Sequence, residues 1–134
     1  MLAQSFKSAA DLNITETDHA ALIKVLALME TEQMRYVPSR ELKIGRGYQE
    51  QYSGLFNMGM SFGRHECGTT NCIRGAAIAI GQAEFRDATC DHGLNELFYR
   101  WIGDPNVEQG ARALRNYLTF GEPKWKEVME VEMD

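Results

Sequence analysis

The sequence is short of the patterns that mark several classes of protein. It has only three cysteines and three prolines. Its longest apolar run, from Ala20 to Met29, contains Lys24 and is shorter than the about 20 residues that span a bilayer. Residues 1–11 lack the basic and apolar segments of a secretion signal. We therefore expect a cytoplasmic protein without a membrane span, and without a structural disulfide in that reducing compartment.

Basic residues are also in the minority. Lysine and arginine number 14 against 19 aspartates and glutamates, which gives a net charge of -5. Binding to a phosphate backbone needs clustered basic residues, so the charge argues against a nucleic-acid partner. Nine of the basic residues are arginines, which leaves room for a local anion site. A hydrophobic fraction of 44% in 134 residues is enough for one core, so we expect a single domain over residues 1–134.

The first half of the chain contains one clear helix and one irregular segment. Apolar residues recur at helical spacing over residues 16–34, with Thr15 as the expected N-cap. Pro38 ends this helix, because the residue before a proline is pushed out of the α region. Residues 38–63 contain five glycines and no helical period, so we expect the least regular part of the fold there. The segment around Gly45–Gly47 allows one small β-hairpin.

A central helix is predicted over residues 70–82, with Thr69 or Thr70 as its cap. Arg74 is almost its only charge, and a helix that is apolar all round is usually surrounded by others. Small residues such as Gly75 would let neighbouring backbones approach closely.

Two more helices and a docked tail complete the prediction. Asp91 is the expected cap of a third helix, whose apolar residues recur from Leu94 to Ile102. Asn106 and Gln109 form a capping box for a fourth helix, which Gly121 ends and which carries a Glu108–Arg112 pair on its outside. The tail can dock as a last helical turn or two through Trp125, Val128 and Met129. The predicted fold is mainly α: a compact helical domain around the central helix.

The run Cys67-Gly68-Thr69-Thr70-Asn71-Cys72 is the most informative candidate site. With Thr69 as cap, Cys72 would be the third helical residue, where the helix dipole lowers the pKa of a thiol. Cys72 or Cys67 could then act as a nucleophile, with His92 or His65 as base. The sequence shows no hydrolase or redox signature, so catalysis is the lesser hypothesis.

A zinc site is a second hypothesis for the same cysteines. His65, Cys67, Cys72, Cys90 and His92 supply suitable ligand types, but their spacing does not match knuckle-like pairs. We favour metal-free, reduced and buried cysteines that close the loop onto the helix. Serine in place of Cys72 would then bury a hydroxyl without a partner and cost more stability than alanine would.

A third hypothesis is an anion site at the helix start. Thr69, Thr70 and Asn71 would offer hydroxyl and N–H groups there, with Arg64 and Arg74 supplying charge. The simpler interpretation is that the hydroxyls only cap the helix.

The pattern Cys67-Gly68-Thr69-x-x-Cys72-Ile73-x-Gly75, preceded by Phe56-Asn57-Met58 and followed by Leu97-Phe98, resembles a scattered group of small phage and bacterial proteins. Those proteins commonly have alanine where this chain has Arg74, and tryptophan or histidine where it has Ala76. The resemblance implies a phage or mobile-element context but no activity. We therefore expect a non-catalytic protein without a cofactor that binds a host protein, with self-association as a further option. The alternative is a cysteine-based enzyme or a small-anion or nucleotide binder at Cys67–Cys72.

Overall fold

The computed structural model describes residues 6–38, 52–58, 63–65, 68–85 and 92–133, with the backbone alone for 63–65, 68–70, 92 and 131–133. These ranges contain six helices and four short strands. In chain order they are α1 (Ala9–Leu12), α2 (Glu16–Glu30), β1 (Arg35–Tyr36), β2 (Leu55–Phe56), β3 (Gly63–His65), β4 (Gly68–Asn71), α3 (Ile73–Gly81), α4 (His92–Tyr99), α5 (Val107–Phe120) and α6 (Trp125–Met133).

The two longest helices begin where their capping residues predict. The Thr15 side chain accepts a hydrogen bond from the Asp18 N–H at 3.0 Å and so caps α2. Asn106 and Gln109 make both bonds of the capping box, each at 2.8 Å, at the start of α5. Helix α2 ends four residues earlier than predicted, because Glu32 has a left-handed backbone that turns the chain into β1.

The predicted start of the central helix is wrong. Thr69 and Thr70 lie in β4, where they pair with β3 in an antiparallel ladder, and α3 begins only at Ile73. Threonine is β-branched and favours an extended backbone, so strand pairing takes precedence over helix capping here. Cys72, with φ of -82° and ψ of -178°, is the N-cap.

The sheet has the strand order β1-β2-β4-β3, and β1, β2 and β4 are parallel. Asn57 joins the carboxyl ends of these three strands. Its side-chain N–H donates to the Val37 carbonyl at 2.8 Å, and its backbone N–H donates to the Asn71 carbonyl at 3.0 Å. The hairpin that the structure shows is β3–β4; the hairpin predicted around Gly45–Gly47 lies outside the described residues.

The core forms around α3, and the mainly α fold class is confirmed. Ile73, Ala76 and Ala77 are fully buried, and α3 packs chiefly against α2, which also contacts α5. No helix in the described ranges is both long enough and apolar enough to cross a membrane.

The C-terminal part matches its prediction in outline. Helix α4 ends at Tyr99, so Trp101 and Ile102 follow the helix rather than belong to it, and its predicted cap Asp91 lies outside the described residues. The tail docks as α6. Its Trp125 is buried, and the indole N–H donates to the Glu96 carbonyl at 2.9 Å in the last turn of α4.

Helix α3 ends in backbone contact with α2. A Cβ at Gly81 would lie 2.3 Å from the Cβ and 2.8 Å from the Cα of Ala21, closer than non-bonded carbons approach. Only glycine fits here without moving one helix away from the other.

We expect Gly81→Ala to lower the free energy of unfolding by about 1–3 kcal/mol through overpacking, measured by urea denaturation. Adding Ala21→Gly should recover part of that loss, because it removes the clashing methyl group. Ala27→Gly, at an exposed position of α2, measures the cost of a glycine in that helix alone. Wild-type stability in Gly81→Ala would contradict the close packing.

Tyr52 precedes β2 and buries its hydroxyl. No described residue gives that hydroxyl a hydrogen-bond partner, and burial raises the pKa of Tyr52 above its ordinary value of 10.0. The folded state therefore favours the neutral phenol, so this group weakens the fold once the pH rises above 10.0 and the phenol is driven to ionise.

Tyr52→Phe removes a hydroxyl that folding desolvates, so we expect unchanged or slightly higher stability at pH 7, by up to about 1 kcal/mol. Stability should also fall less steeply than in wild type as the pH passes 10.0. Urea denaturation at neutral and alkaline pH measures both effects, with the exposed Tyr99→Phe as control. A marked loss of stability at pH 7 would show that the hydroxyl has a stabilising partner.

Candidate functional site

The structure divides the cysteine motif between a strand and a helix cap. Cys72 has 5% of its surface exposed, so its predicted burial is confirmed. It is not the third helical residue: as N-cap, its Sγ accepts the Gly75 N–H at 3.4 Å. The extended strand β4 begins at Gly68 and ends at Asn71, directly before Cys72. Cys67 lies outside the described residues.

The catalytic and zinc hypotheses both depend on residues beyond this part of the structure. Cys67 and Cys90, with the side chains of His65 and His92, are outside the described set. Within that set, no three histidine, cysteine, aspartate or glutamate side chains are grouped so as to hold a metal ion. Cys72 itself is buried and already hydrogen-bonded, which limits the access of a substrate to its sulfur.

The residues of the anion hypothesis are distributed over β3, β4 and the first turn of α3. Thr69 and Thr70 are strand residues, and Asn71 is fully buried at the end of β4. Arg64 pairs with Thr69 in the β-ladder, while Arg74 is a half-buried residue in the first turn of α3. The expectation that threonine hydroxyls cap this helix is wrong, because Cys72 does so.

A groove of about 810 Å³ opens on the surface formed by the described residues. It lies between the end of α2, the turn into β1 and the first half of α5. Its lining includes twelve of the described residues: Met29, Glu30, Glu32, Met34, Arg35, Tyr36, Asn106, Val107, Glu108, Ala111, Arg112 and Arg115. We call it the α2–α5 groove.

The floor of the α2–α5 groove is apolar and depends on a glycine. A Cβ at Gly110 would lie 2.8 Å from Met29 Cε and 2.9 Å from Phe56 Cζ, so glycine lets α5 lie close to α2 and the sheet. Met29, Met34 and Ala111 are buried beneath the opening. Methionine is flexible and polarisable, so such a floor can adapt its shape to what contacts it.

Two ion pairs frame the groove. The Arg115 guanidinium donates from Nε and Nη2 to the two carboxylate oxygens of Glu30, at 2.7 and 2.5 Å. This hydrogen bonding raises the pKa of Arg115, and the same guanidinium lies 5.2 Å from the centre of the Phe6 ring. Arg112 donates to Glu108 at 2.7 Å, which confirms the predicted pair along α5. Both pairs are partly exposed, so we expect them to position side chains rather than to add much stability.

Two charged side chains of the groove have no ion-pair partner among the described residues. The side chains of Arg35 and Glu32 are exposed, and neither has an ion-pair partner among the described residues. Arg35 is held by the sheet, because its backbone N–H donates to the Gly54 carbonyl at 2.7 Å. Tyr36, the next residue, donates its hydroxyl hydrogen to the Asp104 carboxylate. One hydrogen bond to the sheet and one to Asp104 therefore hold the wall that carries Arg35.

The sequence signalled only part of this groove. Glu108, Ala111, Arg112 and Arg115 recur at helical spacing, which identifies one face of α5. Nothing local connects Glu30 with Arg115, which are 85 residues apart. The wall formed by β1 could not be predicted from the sequence either, because a strand of two residues is too short to show an alternating pattern.

Comparison of the chain with protein-family models, with curated protein sequences and with solved structures finds no significant match. The resemblance of residues 67–75 to small phage and bacterial proteins therefore stays a prediction from the sequence.

The role of Cys72 as N-cap reverses the expected order of two substitutions. Serine is among the best N-caps, and its hydroxyl can accept the Gly75 N–H that Sγ accepts now. We expect Cys72→Ala to be less stable than Cys72→Ser by about 0.5–2 kcal/mol in urea denaturation. Thr15→Ala and Thr15→Ser in α2 are a matched pair at a second cap. A serine variant less stable than the alanine variant would restore the expectation from sequence.

Proposed function

We propose that this chain is a non-catalytic protein that binds a protein partner through the α2–α5 groove. The observation that supports this best is that one groove combines three features. It has a floor of methionine side chains, two ion pairs beside the opening, and two charged side chains without an ion-pair partner among the described residues. Such a surface offers an apolar anchor site with charged groups beside it, as peptide-binding grooves do.

The openness of the groove favours a polypeptide over a small metabolite. Small-molecule sites enclose most of the ligand and use a few buried polar groups for recognition. Here the charged side chains of Arg35, Glu32, Glu108 and Arg112 are exposed around the opening. Only the floor residues are removed from solvent, so an occupant keeps one side in water, as a segment of a larger protein would.

The biological setting of the proposal comes from the sequence resemblance. We propose a phage or mobile-element protein whose partner is a host protein, with inhibition of a host or defence system as the effect of binding. A second copy of the chain is the other protein that the groove could hold. Nothing in this proposal requires a cofactor.

The competing proposal is a cysteine-based enzyme or an anion or nucleotide binder at Cys67–Cys72. It has less support, since Cys72 is buried and its sulfur serves as the cap of α3. The threonines that were to bind an anion belong to a strand.

The test is capture of a partner from a bacterial lysate with a pair of matched variants. Val107 is half-buried at the first position of α5 and lines the groove, so Val107→Trp should fill the opening with an indole ring. Thr119 is half-buried near the other end of α5, and Thr119→Trp controls for added aromatic surface. We expect the groove variant to retain at least about tenfold less of the partner, as for loss of one important contact, and the control to retain a wild-type amount.

Equal capture by both variants would contradict a role for the groove. Light scattering on the purified chain identifies self-association, which Val107→Trp should also weaken if the second copy occupies the groove. If no protein is captured and Cys72→Ser loses a measurable chemical activity, the cysteine proposal replaces this one.

A further inference from the structure

We propose that the partner presents to the α2–α5 groove a short segment with one apolar side chain and one carboxylate, and that Arg35 binds the carboxylate. This inference rests on the proposed function and specifies the chemistry of the partner. It follows from which charges of the groove are already neutralised and which are not.

Among the described residues that line the groove, Arg35 is the cation without an ion-pair partner. The guanidinium of Arg115 is engaged by both oxygens of Glu30, and that of Arg112 is bound to Glu108. Arg35 is exposed on the same groove without an ion-pair partner in the described part of the chain. A guanidinium can bind a carboxylate through two parallel N–H donors, which gives strength and direction to the contact.

The position of Arg35 also makes it a better binding group for a charged ligand than Glu32, the unpaired residue of opposite charge. Arg35 belongs to a strand, whereas Glu32 lies in the turn after α2. The bonds of the Arg35 N–H to Gly54 and of the Tyr36 hydroxyl to Asp104 hold this strand in place, and a position that is already fixed loses less conformational freedom when a ligand binds. The N-terminus of α5 opens onto the groove at Asn106 and Val107, and its partial positive charge favours a carboxylate there as well.

The acidic residues of the groove set an upper limit on the negative charge of the segment. Glu32 has no ion-pair partner among the described residues, and Glu30 and Glu108 lie on the same walls. A run of acidic residues would place a carboxylate opposite Glu32, which no described cation neutralises, and be repelled. One carboxylate beside an apolar residue fits the charges, and the apolar residue fits the floor of Met29, Met34 and Ala111.

The experiment selects binders from a library of random short peptides with the full-length chain as bait. We expect enriched peptides to contain an apolar residue within a few positions of a single aspartate or glutamate. A synthetic copy of one enriched peptide is then compared with its amide form, in which asparagine or glutamine replaces the acid. The amide form should bind at least about tenfold more weakly, as for the loss of a charge-assisted bond.

Three exposed substitutions test the role assigned to Arg35. Arg35→Glu should weaken binding of the acidic peptide at least about tenfold, because it replaces attraction by repulsion. Glu32→Lys should leave binding unchanged or strengthen it. Arg100→Glu makes the same charge change at an exposed position that does not line the groove, and should bind as wild type does. Added salt should weaken wild-type binding more than that of Arg35→Glu.

Enriched peptides dominated by lysine or arginine, or unchanged binding by Arg35→Glu, would overturn the inference. If no peptide is enriched while lysate capture still depends on Val107, the inference fails and the proposed function stands. If neither assay depends on the groove, both fail.

Discussion

The contact between α2 and α3 is the constraint on which the rest of the structure depends. Gly81 brings the end of α3 against the backbone of Ala21, and the buried face of α3 fills the centre of the core. A hydrogen bond also holds the two helices together. The buried Asp18 carboxylate on α2 accepts the N–H of Glu84, just after α3, at 3.0 Å. Helix α2 also contacts α5, so it connects the centre of the core with one wall of the groove.

The parallel strands support one wall of the groove. β1 is an edge strand of the described sheet, and it carries Arg35 and Tyr36 on the wall of the groove. Asn57 joins β1 to the carboxyl ends of β2 and β4 through two hydrogen bonds. Phe56, in β2, reaches the space above Gly110 of α5. The sheet is small, but it holds one side of the groove in place against the other.

Features encoded within a few residues of sequence were predictable. The cap at Thr15 and the capping box at Asn106 depend on residues three positions apart and appear as expected. The parallel sheet was not predictable, because strands of two residues show no alternation and their partners lie far along the chain. The start of α3 was misplaced because threonine suits both a helix cap and a strand, and only pairing with β3 decides between them. The α2–α5 groove was missed for the same reason, since its opposite walls meet only in three dimensions.

The ion pair between Glu30 and Arg115 has a consequence for the order in which the protein takes shape during synthesis. Its two residues are 85 positions apart, and the bond from Tyr36 to Asp104 spans 68. Contacts between such distant positions must wait until the later one has left the ribosome, and they close long loops of chain. A nascent chain that has made only α2 and the strands therefore exposes Met29 and Met34 without the opposite wall. The surface that we assign to a partner is completed only once α5 has been made, so a shorter nascent chain lacks one of its two walls.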